Sequence, residues 1–410
     1  MGRILTTHAG SLIRPRELLD LLAAVERGEE IDEAAYEQTL AQSVEDVVRR
    51  QAEAGIDVVD DGEMGKASWI TYLYERVGGL EVRMVPVADG NILPPSRDRL
   101  AFPEFYAEHD AEFARQVANL LHPGGGEEEV EGAEPAVPEA KTWVCTGPIT
   151  YDTTALQRDI ANLKAGLDGL DVTDTFMPVV APASVYWLEN EHYASEEEFV
   201  FAVADALHEE YRGIVDAGFL VQVDDAVLVH EYDSVLSLGG SVDDYRKWAE
   251  LRIDATNHAL RGIPEERVRY HVCHGSWHGP HVYDPPLADV VDLVLRVNAR
   301  YYSIEMANPR HEHEWQLWED VKLPEGKVLI PGIVTHHTVV VEHPALVAQR
   351  LVRLANVVGP ESVMGGTDCG FAQGAFVQRV HPTVQWAKLE ALAEGAKLAS
   401  RQLWGAKADV

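Results

Sequence analysis

Cysteine is scarce in this chain, with three residues among 410. So few thiols cannot build a disulfide framework, and the first fifteen residues carry no apolar signal stretch. A reducing cytoplasm is the expected setting, where isolated thiols do chemistry. Positive charge is also short: 34 Lys and Arg face 68 Asp and Glu, a net charge of −34. That balance disfavours a nucleic-acid backbone or an anionic lipid surface as partner. No run of 18 apolar residues occurs, so a membrane-spanning helix is not expected. No G-x-G-x-x-G follows the first strand-like run and no P-loop is present, which removes the commonest dinucleotide and nucleotide cradles. Gly2 and Thr6 fit a loose myristoylation pattern, but Ile4 to Gly10 reads better as a buried strand. What remains is ordinary globular material, 46% apolar and 25% charged, with ample length for a large core.

Strand-like runs alternate with amphipathic helices. Residues 33–54 place Tyr36, Leu40, Val44, Val47 and Val48 at helical spacing. Ala54-Gly55 ends that helix, and a strand from Ile56 to Val59 runs into Asp60-Asp61-Gly62-Glu63. The same order returns later. Ser195 and Glu198 suggest a capping box, Phe199 to Ile214 supply an apolar stripe, and Phe219 to Val223 lead into Asp224-Asp225. Further strands are expected at 4–9, 142–146, 176–181, 268–273, 301–306, 328–334 and 362–367. Helices are expected at 242–260, 287–299, 343–357 and 383–403. This alternation implies a mostly parallel sheet and fits a (β/α)8 TIM barrel as one catalytic domain over 1–410. Nine strands are one too many for such a barrel, so one is expected as a hairpin partner or a loop. Residues 81–140 break the rhythm with Pro86, Pro94, Pro95 and Pro103. Their Gly-, Glu- and Pro-rich end at 123–140 reads as an acidic, solvated insertion; a lid over the active site is the sharper reading.

Two cysteines stand where barrel enzymes do their chemistry. Val268 to Cys273 is a strand ending His271-Val272-Cys273, and alternate strand residues project to one side. Cys369 follows another apolar strand in Gly-Gly-Thr-Asp-Cys-Gly-Phe, and Glu305 ends Tyr-Tyr-Ser-Ile-Glu. One imidazole, two thiolates and a carboxylate make a tetrahedral Zn2+ site whose weaker oxygen ligand can yield to a substrate. By spacing alone, His-x-Cys in a strand is more often a buried His and a buried apolar Cys than a metal site. Cys145 reads as a packed core thiol.

Taken in order, His-Val-Cys-His-Gly, Ser-Ile-Glu, Gly-Ile-Val-Thr-His-His and Thr-Asp-Cys-Gly-Phe resemble the catalytic barrel of cobalamin-independent methionine synthase. Thr-Thr-His-Ala-Gly-Ser near the start, Asp-Gly-Glu at 61–63 and Val-Gln-Val-Asp-Asp at 221–225 extend the similarity over most of the chain outside 81–140. The resemblance implies a barrel on the porphyrinogen-decarboxylase pattern and zinc held by His271, Cys273, Glu305 and Cys369. It implies that the metal activates the thiol of homocysteine toward a methyl group on N5 of a reduced folate. Gly10 and Ser11 match the stretch that holds the substrate carboxylate, Glu63 and Asp224 the acids that hold its amino group, and His337 a histidine that moves protons.

Departures fall on the substrate side. The family's two-barrel members are about twice this length, its Asp-Glu-Pro is here Asp224-Asp225-Ala226, and Thr335 stands where Asp is usual. Shorter relatives include epoxyalkane–coenzyme M transferases, in which a zinc thiolate opens an epoxide, and that reaction is the first alternative. A metal-free decarboxylase on the same barrel is a rival from another class. Small-molecule substrates are expected in every case. His274, His278 and His281 read as a polar surface loop. His311 and His313 with Glu312 and Glu314 could suggest a second metal. Arg14, Lys66 and Arg76 read first as surface charge and secondarily as attraction for an anionic substrate.

Overall fold

The computed structural model describes residues 2–86, 96–121, 139–185 and 188–405. Helices α1 (Arg16–Glu26) and α2 (Glu33–Glu53) lead into strand β1 (Val58–Val59), and β2 (Val77–Pro86) follows. Helices α3 (Arg97–Ala101) and α4 (Pro103–Leu121) precede β3 (Glu139–Tyr151) and α5 (Thr154–Gly166). Then come β4 (Asp174–Val180), β5 (Leu188–Asn190), α6 (Glu196–Asp216) and β6 (Leu220–Asp224). The second half runs α7 (Ala226–Ser237), α8 (Val242–Ala259), β7 (Val268–Val272), α9 (Leu287–Val294) and β8 (Tyr301–Glu305). It ends with α10 (Leu317–Asp320), β9 (Val328–Val334), α11 (Pro344–Val358), β10 (Gly366–Thr367) and α12 (Pro382–Trp404).

Seven parallel strands lie in the order β1, β4, β6, β7, β8, β9, β10. The extended segment at 5–7 closes them into a ring. Thr6 O accepts from Asp57 and Val58 N on one side, Thr7 N donates to Gly365 O at 2.9 Å, and Gly365 N to Leu5 O at 2.8 Å. With that segment the strands number eight, as a (β/α)8 barrel requires. The helices face the ring with the stripes read from the sequence. Leu40, Val44, Val47 and Val48 of α2 are buried, as are Phe199, Val203, Leu207 and Ile214 of α6. Such burial stabilises the fold by about 1.5–3 kcal/mol per large apolar side chain relative to leaving it in water.

The surplus strand is β3. It pairs antiparallel with β2 and parallel with β5 in a separate three-stranded sheet. The helix expected over 287–299 stops at Val294. The expected capping box of α6 is partial: Ser195 Oγ accepts from Glu198 N, but Glu198 Oε2 takes Ala194 N instead of Ser195 N. Sequence periodicity missed α1, α4, α5 and α7. Residues 122–138, which hold most of the Gly- and Glu-rich stretch, lie outside the described residues. The described helices of 96–121 rest on the loop after β7: Asp98 Oδ1 accepts from Val282 N, and Trp277 Nε1 donates to Tyr106 OH. Among the described residues, no helix is long and apolar enough to cross a membrane.

Candidate metal centre and substrate pocket

The carboxyl ends of β7, β8 and β10 converge at one mouth of the barrel. His271, Cys273 and Cys369 are buried there, and one ligand atom from each lies within 4.8 Å of the others. The two sulfurs are 3.9 Å apart. His271 Nδ1 lies 3.0 Å from Ser303 Oγ. With Nδ1 donating to that hydroxyl, Nε2 carries the free lone pair, and Nε2 is buried without a hydrogen-bond partner. A buried ring nitrogen left bare beside two sulfurs is the chemistry of a soft or borderline metal site. In the protein alone, the Cys369 thiol titrates well below its usual range. The Cys273 thiol donating to it is the largest cause, and His271 beside it adds to the effect. Cys273 is pushed up in turn, its contact with Cys369 being the largest cause and burial the next. Burial works to lower the His271 pKa, but the adjacent Cys369 outweighs it and the net shift is upward.

Glu305 ends β8 beside this group and lies outside its 4.8 Å circle. Its Oε2 accepts from His274 N at 2.8 Å, and Asn308 Nδ2 donates to its Oε1. His337 Nε2 is 3.8 Å from Glu305 Oε1. Burial alone would raise the Glu305 pKa, yet His274, His337 and His336 hold it far below the usual carboxylate range. Glu305 is therefore an anion fixed at the edge of the sulfur pair. His337 is pushed down to about 4 by burial and is neutral near pH 7. Its Nε2 has no hydrogen-bond partner.

The other expected residues line the wall formed by β1, β4 and β6. Glu63 is buried on a turn at φ 56°, a left-handed conformation uncommon for a residue with a side chain. Local bonds impose it. Asp60 Oδ1 accepts from Gly62 N, Asp61 Oδ1 from Glu63 N, and Arg14 donates to the Glu63, Lys66 and Ala372 carbonyls. Gly10 has φ 128°, and a Cβ there would sit 3.0 Å from Glu63 Oε1 and from Pro178 Cγ. Its missing side chain leaves that carboxylate its place. Asp224 is also buried. Gln222 Nε2 bonds both Asp224 Oδ1 and Ala9 O, which ties β6 to the Gly10–Ser11 segment. Burial pushes the Asp224 pKa up to about 8, opposed by His271 and reinforced by Glu63. Two acids forced together in a dry wall are suited to a cationic group between them. Ser11 Oγ accepts from Ala372 N at 3.3 Å, in the loop that carries Cys369.

Comparison with known proteins bears on the fold and the kind of protein this chain resembles. Residues 4–88 match the family model described as the catalytic domain of the cobalamin-independent synthase. The methionine synthase of Sulfolobus acidocaldarius is 24% identical over 370 residues, 89% of this chain and 85% of that protein. That of Thermococcus kodakarensis is 22% identical over 97% of this chain and 94% of its own. The B12-independent methionine synthase of Shewanella sp. W3-18-1, solved with selenomethionine, superimposes with a TM-score of 0.69 at 19% identity, over 98% of this chain and 99% of that one. Over nearly its whole length this chain is similar in sequence to methionine synthases and in fold to B12-independent ones. A second solved structure, the putative vitamin-B12 independent methionine synthase of Listeria monocytogenes, shares the fold at a TM-score of 0.63 and 17% identity. The two methionine synthases are matched over most of their own length.

Within this fold, several minor expectations need correction. His274 and His281 are buried and His278 is half-buried, so their segment is pocket wall and not a surface loop. Arg14, Lys66 and Arg76 are buried as well. Arg76 is held by Asp159 and Glu210, while Lys66 Nζ donates to Pro178 O at 2.5 Å and lies 3.6 Å from Glu63 Oε2. Cys145 is buried in the core, as expected. His311 and Glu314 approach His274 closely enough to suggest a second metal. The ring geometry opposes it. His274 and His311 stack in parallel at 3.5 Å, which keeps their lone pairs from converging. Both His311 nitrogens already face carboxylates, Glu314 and Asp284, each at 3.0 Å. Sequence reasoning missed Ser303, Asn308, Gln373 and Arg379. Ser303 was accessible to it, since it lies two residues before Glu305 on one strand.

Proposed function

We propose that this protein is a zinc-dependent S-alkyltransferase that moves a methyl group to homocysteine from a 5-methyltetrahydrofolate-type donor. One observation carries the reading: a bare imidazole nitrogen and two sulfurs gathered at the barrel mouth, facing a wall with two buried acids. The methionine synthases among the relatives support the choice of acceptor.

His271, Cys273 and Cys369 would hold the metal, with Glu305 beside them as a further, weaker oxygen donor. Zinc there supplies the positive charge that keeps an added thiol as thiolate near neutral pH. Glu63 and Asp224 bind the amino group of the acceptor. Gly10 and Ser11 receive its carboxylate, with Gly10 leaving room for the Glu63 side chain. Ser303 fixes the His271 ring by accepting from Nδ1. His337, kept neutral by burial, takes a proton on Nε2 as the thiol loses it. It returns that proton toward the departing donor nitrogen, whose basicity makes it a poor leaving group without one. Burial of the whole wall keeps competing water away from the sulfur.

The test pairs zinc-loaded protein with homocysteine and several methyl donors, beside coenzyme M and epoxypropane. Methionine formed only with metal present supports the proposal. Product from the epoxide pair alone assigns the chain to epoxide opening. Full activity of a Cys273→Ser/Cys369→Ser double variant would instead favour metal-free decarboxylase chemistry.

A further inference from the structure

The mouth of the barrel holds one guanidinium whose role the preceding chemistry does not use. Arg379, half-buried in the segment after Cys369, donates from Nε to Gln373 Oε1 at 3.3 Å and from a terminal nitrogen to Ser276 Oγ at 3.4 Å. Both partners are neutral and both contacts are long. No carboxylate lies within 4 Å of it among the described residues. Other arginines at this end are committed. Arg14 is filled by three carbonyls, Arg97 pairs with Asp233, and Arg350 with Glu312. Arg379 thus has no carboxylate partner, and the negative charge nearest to it is that of Cys369 and Cys273; a cation placed so in a functional pocket is a candidate for holding an anion.

Its position is informative. Gln373 Nε2 lies 3.4 Å from Cys369 Sγ, so a single side-chain amide separates the guanidinium from a metal-binding sulfur. The histidines nearby add no acceptor of charge. His278 and His337 each leave Nε2 without a partner, and His336 leaves both ring nitrogens bare. Glu305 is already engaged by His274 and Asn308. Glu63 and Asp224 thus lie after β1 and at the end of β6, while Arg379 and these imidazoles lie in the segments that follow β7, β9 and β10.

We infer that Arg379, with Ser276, binds an anionic group (a carboxylate, sulfonate or phosphate) on a substrate that reacts at the metal-held sulfur. The inference rests on the thiol-transfer reading above. A planar guanidinium pairs with such oxygens through two parallel bonds, which lysine cannot reproduce. The anion can sit on the thiol, as in a short mercaptosulfonate, or on the alkyl donor when the thiol's own carboxylate is taken by Ser11.

Cobalt-loaded wild-type, R379K and R379Q proteins are titrated with 2-mercaptoethanesulfonate, homocysteine and 2-mercaptoethanol, following the sulfur-to-cobalt absorption. R379Q is expected to weaken at least one acidic thiol by about tenfold or more and the uncharged thiol by less than about twofold, with R379K between them. If both acidic thiols are unaffected while KM for an acidic methyl donor rises by that factor at unchanged kcat, the anion belongs to the donor. Equal losses for charged and neutral thiols would show that Arg379 only tunes the metal centre, and they overturn the inference, as does no loss for any anionic ligand. A wild-type spectrum that ignores every thiol defeats the thiol-transfer reading instead. Protection against heat by ethanesulfonate, lost in R379Q, then decides the anion site on its own, and equal protection of both proteins rejects it.

Discussion

The imidazole of His311 lies flat on that of His274, with centroids 3.5 Å apart and planes 10° from parallel. His311 is clamped edge-on by Asp284 and Glu314. Burial opposes its charge, but the two carboxylates prevail and raise its pKa to about 9, while Asp284 falls to about 2. An imidazolium stacked on the His274 ring braces the segment that follows Cys273.

This brace makes stability depend on pH. The folded His311 pKa lies above its ordinary 6.5. Its contribution is therefore complete below 6.5 and is lost as pH rises through 9. Asp284 works in the opposite sense, contributing fully above 3.8 and losing its share as pH falls toward 2. Melting temperatures measured at pH 6 and pH 9.5 should fall further for wild type than for H311Q. At pH 6 that variant should be destabilised by about 3 kcal/mol, as expected for a broken buried pair. Parallel pH curves for the two proteins would contradict the assignment.

Metal retention should grade with distance from the ion. Cys369→Ser is expected to emerge from dialysis without zinc, whereas Ser303→Ala keeps a site weakened about 10–100-fold. Metal content after dialysis against a graded chelator series reads both. Retention by S303A equal to wild type would remove Ser303 from the site.

Recognition of the amino group can be isolated from chemistry. Glu63→Gln and Asp224→Asn should each raise KM for homocysteine about tenfold or more, the range for a lost charged hydrogen bond. A thiol lacking the ammonium, such as 3-mercaptopropionate, should lose little. An equal rise for both thiols would assign these acids to the shape of the pocket instead.

Steric tolerance beside Cys369 should be small. A Cβ on Gly370 would meet Ser11 Oγ at 2.0 Å and Ser11 N at 3.1 Å. Gly370→Ala is expected to cost about 1–3 kcal/mol in chemical denaturation and to weaken metal binding along with it, because the loop must shift. Unchanged affinity and stability would mean that the loop relaxes freely.

Much of the barrel was legible because its signals are local. Hydrophobic spacing in α2 and α6 and the apolar runs of β4, β6, β7, β8 and β9 depend on neighbouring residues alone. The helix over 287–299 was overextended because Val297 and Ala299 are buried without being helical. What β3 pairs with is a different kind of question, since an apolar run looks the same in a barrel wall and in a side sheet. Charged residues misled for a related reason. Arg76 is buried because Asp159 and Glu210 come from α5 and α6, and nothing near residue 76 announces them. The sulfur pair was readable only as an ordered set of motifs, and Arg379 had no motif at all.

Ring closure leaves the opening residues dependent on the end of the chain. Ala9 N bonds Thr367 Oγ1 across 358 positions, and Ile4 N bonds Ser400 Oγ across 396. Ribosomal synthesis must therefore be nearly finished before the earliest residues find their neighbours. Until then Ile4 and Leu12, both destined for the interior, stay open to chaperones.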